Sequence, residues 1–296
     1  MKILTEASGS MVSGYLIKAI QESGHVSVAS DVSRFNHGEC LADEFIEFPY
    51  SNDENLWEII DKELKNHKID VVIPSFDETL MSWSEKKEYF KNKGIHVIIS
   101  DVKTLEVFGD KYKAYQFCLD NGIPTPKTSL KQEYTLVKPR FGRGGSGVYV
   151  GDEPQDMDMM ISQEYIEGKE FTVDCFFDSA GKGIYTIVRE RLNIKDGKST
   201  KGIVVRHNKI EDYVQKISER IEFLGAVNFQ FIEKIDGSVS FIEVNPRIAG
   251  GMALGFAASE NWISLMVENF INGKKVKPGS VKYGLKMMRY YAECYI

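Results

Sequence analysis

A glycine-rich segment, residues 136–148 with the sequence LVKPRFGRGGSGV, carries the strongest chemical pattern in the chain. Lys138 precedes four glycines within six positions, among them Gly144 and Gly145 beside Ser146. Because glycine has no side chain, backbone N–H groups in this segment can approach phosphates, and Lys138 adds a positive charge. The Gly-Lys-Ser/Thr sequence of a Walker loop is absent. We therefore predict a strand–loop–strand hairpin that closes over a nucleotide; the alternative is a flexible surface hairpin.

Two short runs in the last third of the chain alternate polar and apolar residues, which predicts a β-hairpin. Successive side chains of a strand point to opposite faces. In the first strand Gln230 therefore lies on the polar face. In the second strand Glu243 and Asn245 lie on the polar face, and Ile242 lies on the apolar face. Amide and carboxylate oxygens suit Mg²⁺, so the three polar residues predict a magnesium site. Arg247 follows, placed to contact a phosphoryl group in transfer. The alternative is an amphipathic hairpin with a solvated outer face.

A third segment, residues 163–171 with the sequence QEYIEGKEF, reads as a strand that ends in a glycine-containing connection. Backbone groups of Glu164, Tyr165 and Ile166 could pair with the edge of an adenine, and Glu170 could hold ribose hydroxyls. Acid-rich connections are common, so this segment by itself predicts little.

The first third of the chain contains the elements of a parallel sheet with crossover helices. Short apolar runs predict strands at 2–5, 26–29, 71–74 and 97–99, and amphipathic periodicity predicts helices at 12–22 and 56–65. The first turn, residues 9–14, lacks the Gly-x-Gly-x-x-Gly spacing of dinucleotide-binding folds, although Asp31 stands where a ribose-binding acid would lie. We predict a Rossmann-like lobe without a dinucleotide fingerprint.

The remaining elements follow a boundary near residues 101–110. Helices are predicted at 111–121, 212–223 and 262–272, and strands at 135–138, 147–150, 161–165, 171–177, 184–189, 202–205 and 284–293, besides the hairpin over 227–245. The predicted domains are a Rossmann-like N-terminal domain (1–108), a small lid lobe (109–168) and a C-terminal lobe with the metal site (169–296). The fold class is therefore α/β with α+β lobes.

Composition narrows the class of protein. The chain is 43% hydrophobic and 27% charged, with a formal net charge of −6, so a broad basic surface for nucleic acid is not expected. The sequence shows no apolar run long enough to span a membrane, and we expect no signal peptide. The four cysteines are far apart in the sequence and do not suggest a disulfide framework. We predict a cytoplasmic protein that binds neither nucleic acid nor membrane.

Taken in order, these segments resemble the ATP-grasp superfamily, and most closely its carbamoyl-phosphate-synthase-like branch. The resemblance covers essentially the whole chain, including a Rossmann-like lobe before the grasp. The matching motifs are Asp110-Lys111, Lys138-Pro-Arg with its glycine loop, Gln163-Glu-Tyr-Ile-x-Gly-x-Glu170, Gln230, and Glu243-x-Asn-Pro-Arg247.

The resemblance implies a role for each motif. Phosphates of ATP would contact Lys111, Lys138, Gly144, Gly145 and Ser146; adenine and ribose would contact Glu164, Tyr165, Ile166 and Glu170; Mg²⁺ would bind Gln230, Glu243 and Asn245; and Lys138, Arg191 and Arg247 would act in catalysis, with Arg189 also facing the substrate. Two Mg²⁺ ions are expected, with Mn²⁺ as a substitute.

The implied activity is that of an ATP-dependent carboxylate–amine ligase, or of a ligase for another nucleophile, that works through an acyl phosphate and releases ADP and phosphate. The chain is far shorter than a carbamoyl phosphate synthase large subunit, so carbamoyl phosphate synthesis itself is not expected. The alternatives are a non-catalytic ATP-binding protein and an NAD-dependent enzyme using the N-terminal lobe. The expected partners are small carboxylates and amines, and a homodimer is left open.

Overall fold

The computed structural model describes residues 1–10, 13–142, 145–195 and 198–296. The chain forms two compact units. The first unit contains Met1–Ile99, Arg247–Gly279 and Tyr290–Ile296, and the second contains Ser100–Pro246 and Ser280–Arg289. The predicted division into three domains stays a prediction beside this partition. None of the helices in the described ranges is long and apolar enough to cross a membrane.

The described secondary structure alternates strands and helices in the first third and is mostly β afterwards. The strands are β1 (Lys2–Thr5), β2 (Val26–Asp31), β3 (Glu44–Glu47), β4 (Val71–Ile73), β5 (His96–Val97), β6 (Thr128–Ser129), β7 (Leu136–Pro139), β8 (Tyr149–Val150), β9 (Met160–Gln163), β10 (Lys169–Phe177), β11 (Gly183–Lys195), β12 (Lys198–Val204), β13 (Gly225–Glu233), β14 (Val239–Asn245) and β15 (Lys286–Met288).

The helices are short or of middle length. They are α1 (Ser13–Glu22), α2 (His37–Leu41), α3 (Leu56–Asn66), α4 (Leu80–Glu85), α5 (Lys87–Lys91), α6 (Val102–Phe108), α7 (Lys111–Asp120), α8 (Asn208–Ser218), α9 (Ala253–Ala258) and α10 (Trp262–Met266), with a 3₁₀ turn at Gly250–Met252 and a π-helical turn at Val267–Ile271.

The first unit is built on a parallel five-stranded sheet in the order β3-β2-β1-β4-β5. Strand β4 is wholly apolar and buried, and every residue of β1 except Lys2 is buried, as expected of parallel strands covered on both faces. This confirms the Rossmann-like lobe. Strand β3 was not predicted, because its sequence EFIE offers only two apolar residues between acids. The predicted helix 12–22 is observed from Ser13, and residue 12 lies outside the described ranges.

The second unit contains two antiparallel sheets. The smaller has the order β6-β9-β7-β8, and the larger has the order β14-β13-β10-β11-β12-β15. One face of the larger sheet is apolar: Phe171, Val173, Phe229 and Phe241 lie in its core with residues of α7 and α8. The other face has a polar region, and it carries most of the predicted metal and ribose contacts.

The predicted hairpin over 227–245 is observed as β13 and β14, but its register differs from strict alternation. Gln230 faces Glu243 and the next residue, Phe231, faces Phe241, so Ile242 forms a β-bulge. The prediction that Ile242 lies in the apolar face is therefore wrong: Phe241 is buried in the core instead. Smaller shifts occur elsewhere, since the helix predicted at 212–223 is Asn208–Ser218 and the strand predicted at 284–293 is only Lys286–Met288.

Candidate functional site

The polar face of the large sheet begins on β10, where every second residue from Glu170 to Asp174 is polar. Glu170, Thr172 and Asp174 point to this face, between the apolar residues that enter the core. The register places Thr172 beside Gln230 of β13 on one side and beside Arg189 of β11 on the other. Residues far apart in the sequence therefore meet on one surface because the strands are paired in this order.

One end of this face is closed by a buried ion pair. The Arg189 guanidinium donates to both carboxylate oxygens of Asp174, with Nε–Oδ2 at 2.5 Å and Nη2–Oδ1 at 2.7 Å. Asn228 Nδ2 donates to Asp174 Oδ1 at 2.9 Å. The side chains of Arg189 and Asp174 are 2% and 0% exposed. Arg189, which the resemblance placed toward the substrate, is therefore buried and engaged with Asp174.

The other end of the face is more open and contains the predicted metal ligands. Gln230 Nε2 donates to Glu243 Oε1 at 2.7 Å, and Asn245 Nδ2 donates to the same oxygen at 3.2 Å. Arg191 Nη1 donates to Gln230 Oε1 at 3.1 Å and to Glu170 Oε2 at 2.7 Å. One hydrogen-bonded network therefore joins the predicted metal ligands, the predicted ribose contact Glu170 and the predicted catalytic residue Arg191.

Arg191 is held in this network by a balance of burial and charge. Burial lowers the pKa of its guanidinium, while the carboxylates of Glu170 and Glu243 raise it and the charge of Arg189 lowers it. The Arg191 side chain is 8% exposed, whereas that of Glu170 is 37% exposed. The acid therefore remains accessible to a ligand while the arginine orients it.

Thr172 lies between the two ends and has an unusual environment. Its hydroxyl oxygen is buried and has no hydrogen-bond partner among the described residues. A buried polar group without a partner is uncommon and costs about 1–3 kcal/mol. The register places this hydroxyl beside Gln230 and Arg189, which makes it a group that a bound ligand could satisfy.

Lys138 projects from β7 in the small sheet and is 9% exposed. Its Nζ donates to Gln163 Oε1 at 2.8 Å, and Gln163 in turn donates to Thr128 Oγ1 at 2.9 Å. Burial lowers the pKa of Lys138 to about 8, with the charge of Glu243 raising it and that of Lys111 lowering it. Lys138 and Glu243 are thus close enough to interact electrostatically, although they belong to different sheets.

Lys111 begins α7 and lies against the start of the glycine-rich loop. Its backbone N–H donates to Arg140 O at 3.1 Å, and its Nζ donates to Gly142 O at 2.8 Å. Asp110 caps the helix by accepting from the N–H groups of Tyr112 and Lys113, and it forms an ion pair with Arg140. Burial raises the pKa of Asp110, but these hydrogen bonds and the charge of Arg140 outweigh burial, so the pKa lies below its usual value. The Asp110-Lys111 pair therefore connects α7 to the loop.

The glycine-rich segment is the predicted strand–loop–strand hairpin. Leu136 pairs with Val150 and Val137 with Tyr149 in antiparallel register. Gly145 and Gly147 have φ of 71° and 72°, a left-handed conformation that glycine adopts without strain. Gly145 and Ser146 are exposed. The predicted phosphate contact Gly144 lies outside the described residues.

The predicted adenine contacts follow β9. Glu164 N–H donates to Lys127 O at 2.8 Å, so this backbone donor is engaged within the protein. Tyr165 is exposed and Ile166 is partly buried. The predicted contacts of these three residues with adenine stay predictions.

Arg247 belongs to the first unit, where its Nη2 lies 2.6 Å from Asp77 Oδ2 and its Nη1 donates to Ile248 O at 3.1 Å. Its predicted contact with a phosphoryl group stays a prediction. The described part of the chain contains no group of three His, Cys, Asp or Glu residues that could hold a metal ion. The predicted ligand set contains a single carboxylate and two amides.

Three polar residues that the sequence analysis did not assign lie in or beside the site. Thr172 and Asp174 share the face of Glu170 by alternation along β10, which the sequence could have indicated. Gln163 contacts Lys138 through pairing of β7 and β9, a contact that has no signal in the sequence alone.

Comparison with known families matches the two parts of the chain separately. Residues 7–98 match the family described as "PylC-like, N-terminal domain". Residues 156–292 match the family described as "ATP-grasp in the biosynthetic pathway with Ter operon".

A curated relative is the carbamoyl phosphate synthase large chain of Caldanaerobacter subterraneus subsp. tengcongensis. It is 25% identical over 256 residues, which cover 75% of this chain and 23% of the relative. This chain thus spans less than a quarter of the length of that relative.

Solved structures share the fold at low sequence identity. The biotin carboxylase domain of Hydrogenobacter thermophilus 2-oxoglutarate carboxylase, in complex with MgADP, ADP and bicarbonate, has a TM-score of 0.76 at 19% identity, covering 96% of this chain and 73% of that chain. The L-amino acid ligase of Bacillus licheniformis has a TM-score of 0.73 at 17% identity, covering 94% and 75%. The predicted fold, a Rossmann-like N-terminal part followed by an ATP-grasp part, is thereby confirmed. The chain therefore has the ATP-grasp fold, and its residues 156–292 match an ATP-grasp family.

Proposed function

We propose that the protein is an ATP-dependent ligase that phosphorylates a small carboxylate and joins the resulting acyl phosphate to an amine. The related L-amino acid ligase bears the name of this reaction class, and the related biotin carboxylase domain was solved with MgADP.

The observation that carries the proposal is the electrostatic coupling of Lys138 to Glu243. Burial lowers the pKa of Lys138 to about 8 because it disfavours the charged ammonium form. A bound polyphosphate would stabilise that charged form and offset the effect of burial. Lys111 contributes a second positive charge near the same place. Two lysines and a carboxylate that interact in this way are suited to a metal-bound triphosphate.

The nucleotide would extend from the connection after β9 to the polar face of the large sheet. Glu164, Tyr165 and Ile166 would contact adenine, and the half-exposed Glu170 carboxylate would accept from the ribose hydroxyls. Arg191 supports this assignment, because it donates to Glu170 and so holds the acid in one orientation. Gly144, Gly145 and Ser146 would cover the phosphates with backbone N–H groups.

The chemistry of the donor set fits Mg²⁺. Gln230, Glu243 and Asn245 supply oxygen donors in one network, and the hydroxyl of Thr172 beside them has no partner among the described residues. A single carboxylate is a weak site on its own, so we expect metal binding to require the phosphate oxygens of the nucleotide. When bound, Mg²⁺ would neutralise charge on the phosphates during transfer.

The reaction would proceed in two displacements. A carboxylate oxygen of the substrate attacks the γ-phosphorus, and the bond from this phosphorus to the β–γ bridging oxygen breaks, releasing ADP. The amine nitrogen then attacks the acyl carbon, phosphate leaves with the bonding electrons, and the nitrogen loses a proton. Lys138 would stabilise the charge on the transferring group, and Arg191 and Arg247 are proposed to assist it.

Screening carboxylate and amine pairs for ADP formation tests the function. With the active pair, ¹⁸O in the substrate carboxylate should appear in the released phosphate, because the transferred phosphoryl group takes that oxygen. AMP as the product, or unlabelled phosphate, would overturn the acyl phosphate mechanism. ATP binding without ADP release for any pair would favour a non-catalytic protein.

Substitution of Mn²⁺, the presence of two metal ions, a cytoplasmic location and a homodimer stay predictions. The dependence of ADP release on Mg²⁺ and Mn²⁺ would test the two predictions about the metal. The mass of the protein in solution would test the homodimer. The Hydrogenobacter domain is described as a dimer, which supports measuring the oligomeric state of this chain.

A further inference from the structure

A cavity of about 320 Å³ lies within the first unit, at the carboxyl ends of its parallel strands. Its lining includes Glu6 after β1, Asp31 at the end of β2, Phe48 after β3 and Phe76 after β4. The chain turns from β1 toward β2 on one side and later crosses to β4 on the other, so the strand order reverses at β1. Ligands of open α/β sheets bind in the crevice outside such a reversal.

The lining of the cavity includes a buried acidic residue, Glu6. Glu6 is 7% exposed and accepts hydrogen bonds from Trp83 Nε1 at 2.8 Å and from Thr79 Oγ1 at 3.0 Å. Burial raises the pKa of Glu6 to about 7, and the hydrogen bonds from Trp83 and Thr79 lower it only in part. All the groups that shift it back are neutral donors, and no cation is among them. A buried carboxylate of this kind is stabilised by a positive charge.

The lining of the cavity is acidic and apolar. Asp31 is its second acid, and this carboxylate accepts from the backbone N–H groups of Gly9 and Val32, each at 2.7 Å. Among the described lining residues there is no Lys, Arg or His. An anionic ligand such as a nucleotide would meet two acids without a compensating charge, so the electrostatics favour a cation.

The remaining walls determine the rest of the ligand. Phe48, Phe76, Leu56 and Ile60 line the cavity with hydrocarbon surface. A volume of this size is at the lower end of the range for small-molecule sites, about 300–1,000 Å³. The cavity therefore suits a compact molecule with one apolar part and one cationic group.

We propose that this cavity is a binding site for a small organic amine, whose ammonium group pairs with Glu6 and whose hydrocarbon part lies against Phe48 and Phe76. The site is separate from the proposed nucleotide site, and its lining residues all belong to the first unit. Binding of the amine requires neither ATP nor turnover, so the proposal stands or falls apart from the ligase activity.

Calorimetry on the 296-residue chain without nucleotide tests the proposal. The probes are 2-phenylethylamine, the neutral 2-phenylethanol and the anionic phenylacetate, at pH 8, where Glu6 is mostly ionised. We expect the amine to bind at least about tenfold more tightly than the alcohol, and phenylacetate to bind most weakly. Absence of amine binding, or equal affinities for amine and alcohol, would overturn the site.

Two variants locate the binding. Glu6→Gln keeps an oxygen acceptor for Trp83 and Thr79 but removes the charge, so the preference for the amine over the alcohol should disappear. Glu58→Gln, an exposed position on α3, is the matched control and should retain it. An unchanged preference in Glu6→Gln contradicts the proposal.

The second variant covers the case in which Glu6→Gln does not fold. Ser51 lines the cavity and is exposed, so Ser51→Trp should obstruct the cavity with little effect on folding. Amine affinity should fall at least about tenfold. Unchanged affinity in a folded Ser51→Trp protein would show that the amine binds elsewhere.

Discussion

The two ends of the polar face of the large sheet carry the same kinds of residue but differ in burial. At the closed end, Asp174, Arg189 and Asn228 satisfy one another and are almost fully buried. At the open end, Arg191 is also nearly buried, yet its partner Glu170 is 37% exposed.

The difference shows how a shift of two residues along β11 changes the role of an arginine. Arg189 and Arg191 point to the same face, but the first is saturated by Asp174 and the second is shared between Glu170 and Gln230. The Asp174–Arg189 pair satisfies itself and links two strands of the sheet. Arg191 divides its hydrogen bonds between two partners, so the exposed Glu170 carboxylate can still accept from a ligand. An arginine can thus be assigned to binding only when its partners are known.

The largest effect is expected at the closed end. Asp174→Ala leaves Arg189 buried without its counter-charge, so unfolding free energy should fall by about 3–5 kcal/mol. Urea denaturation followed by circular dichroism measures this loss, with the exposed Asp212→Ala as control. The double variant Asp174→Leu with Arg189→Met should recover much of the stability. A loss below about 1 kcal/mol in the single variant would erase the contrast between the two ends.

At the open end, Glu243→Ala should leave folding intact but reduce turnover by at least about 10², because an electrostatic contact to the metal and phosphates is removed. ADP release with the active substrate pair measures this effect. Glu219→Gln, at an exposed position after α8, should be unaffected. Near-normal turnover of Glu243→Ala would mean that the open end is not the catalytic end.

Lys138→Ala should reduce turnover by a similar factor of at least about 10², because Lys138 supplies the charge opposite Glu243. The exposed Lys131→Ala is the matched control. If Lys138→Ala releases ADP normally, the small sheet takes no part in the chemistry, and the open end acts without it.

The smallest effect is a dependence of ATP affinity on pH. Below pH 8 Lys138 is charged in the free protein, and above it the amine becomes neutral, so ATP binding must take up a proton. Affinity should therefore fall by up to about tenfold per pH unit above pH 8. Calorimetry in buffers of different ionisation enthalpy measures the proton uptake. Lys138→Met should lack this component, and the same slope in both proteins would assign it to another group.

Much of the site was predictable because it depends on local patterns. Alternation along the strands placed Gln230, Glu243 and Asn245 on one face, and the structure joins them in one network. The glycine-rich segment predicted a hairpin because its loop connects two apolar runs without a helix signal. The Rossmann-like unit followed from the spacing of its apolar strands.

Other features depend on pairing between distant segments and had no local signal. The bulge at Ile242 changes which residue of β14 enters the core, and alternation cannot reveal an extra residue. The pair of Asp174 with Arg189 requires the register of β10 against β11. Strand β3 was missed because it is short and flanked by acids, and with it the cavity wall formed by Phe48.

The pairing of β15 with β12 has a consequence for how the second unit is made. Lys286–Met288 joins a sheet whose other strands lie before residue 246, and residues 247–279 between them belong to the first unit. A nascent chain can therefore not close this sheet until the ribosome has passed residue 288. Until then the backbone N–H and C=O groups on the outer edge of β12 have no strand to pair with. A chaperone that binds the nascent chain would therefore find β12 as an unprotected edge strand.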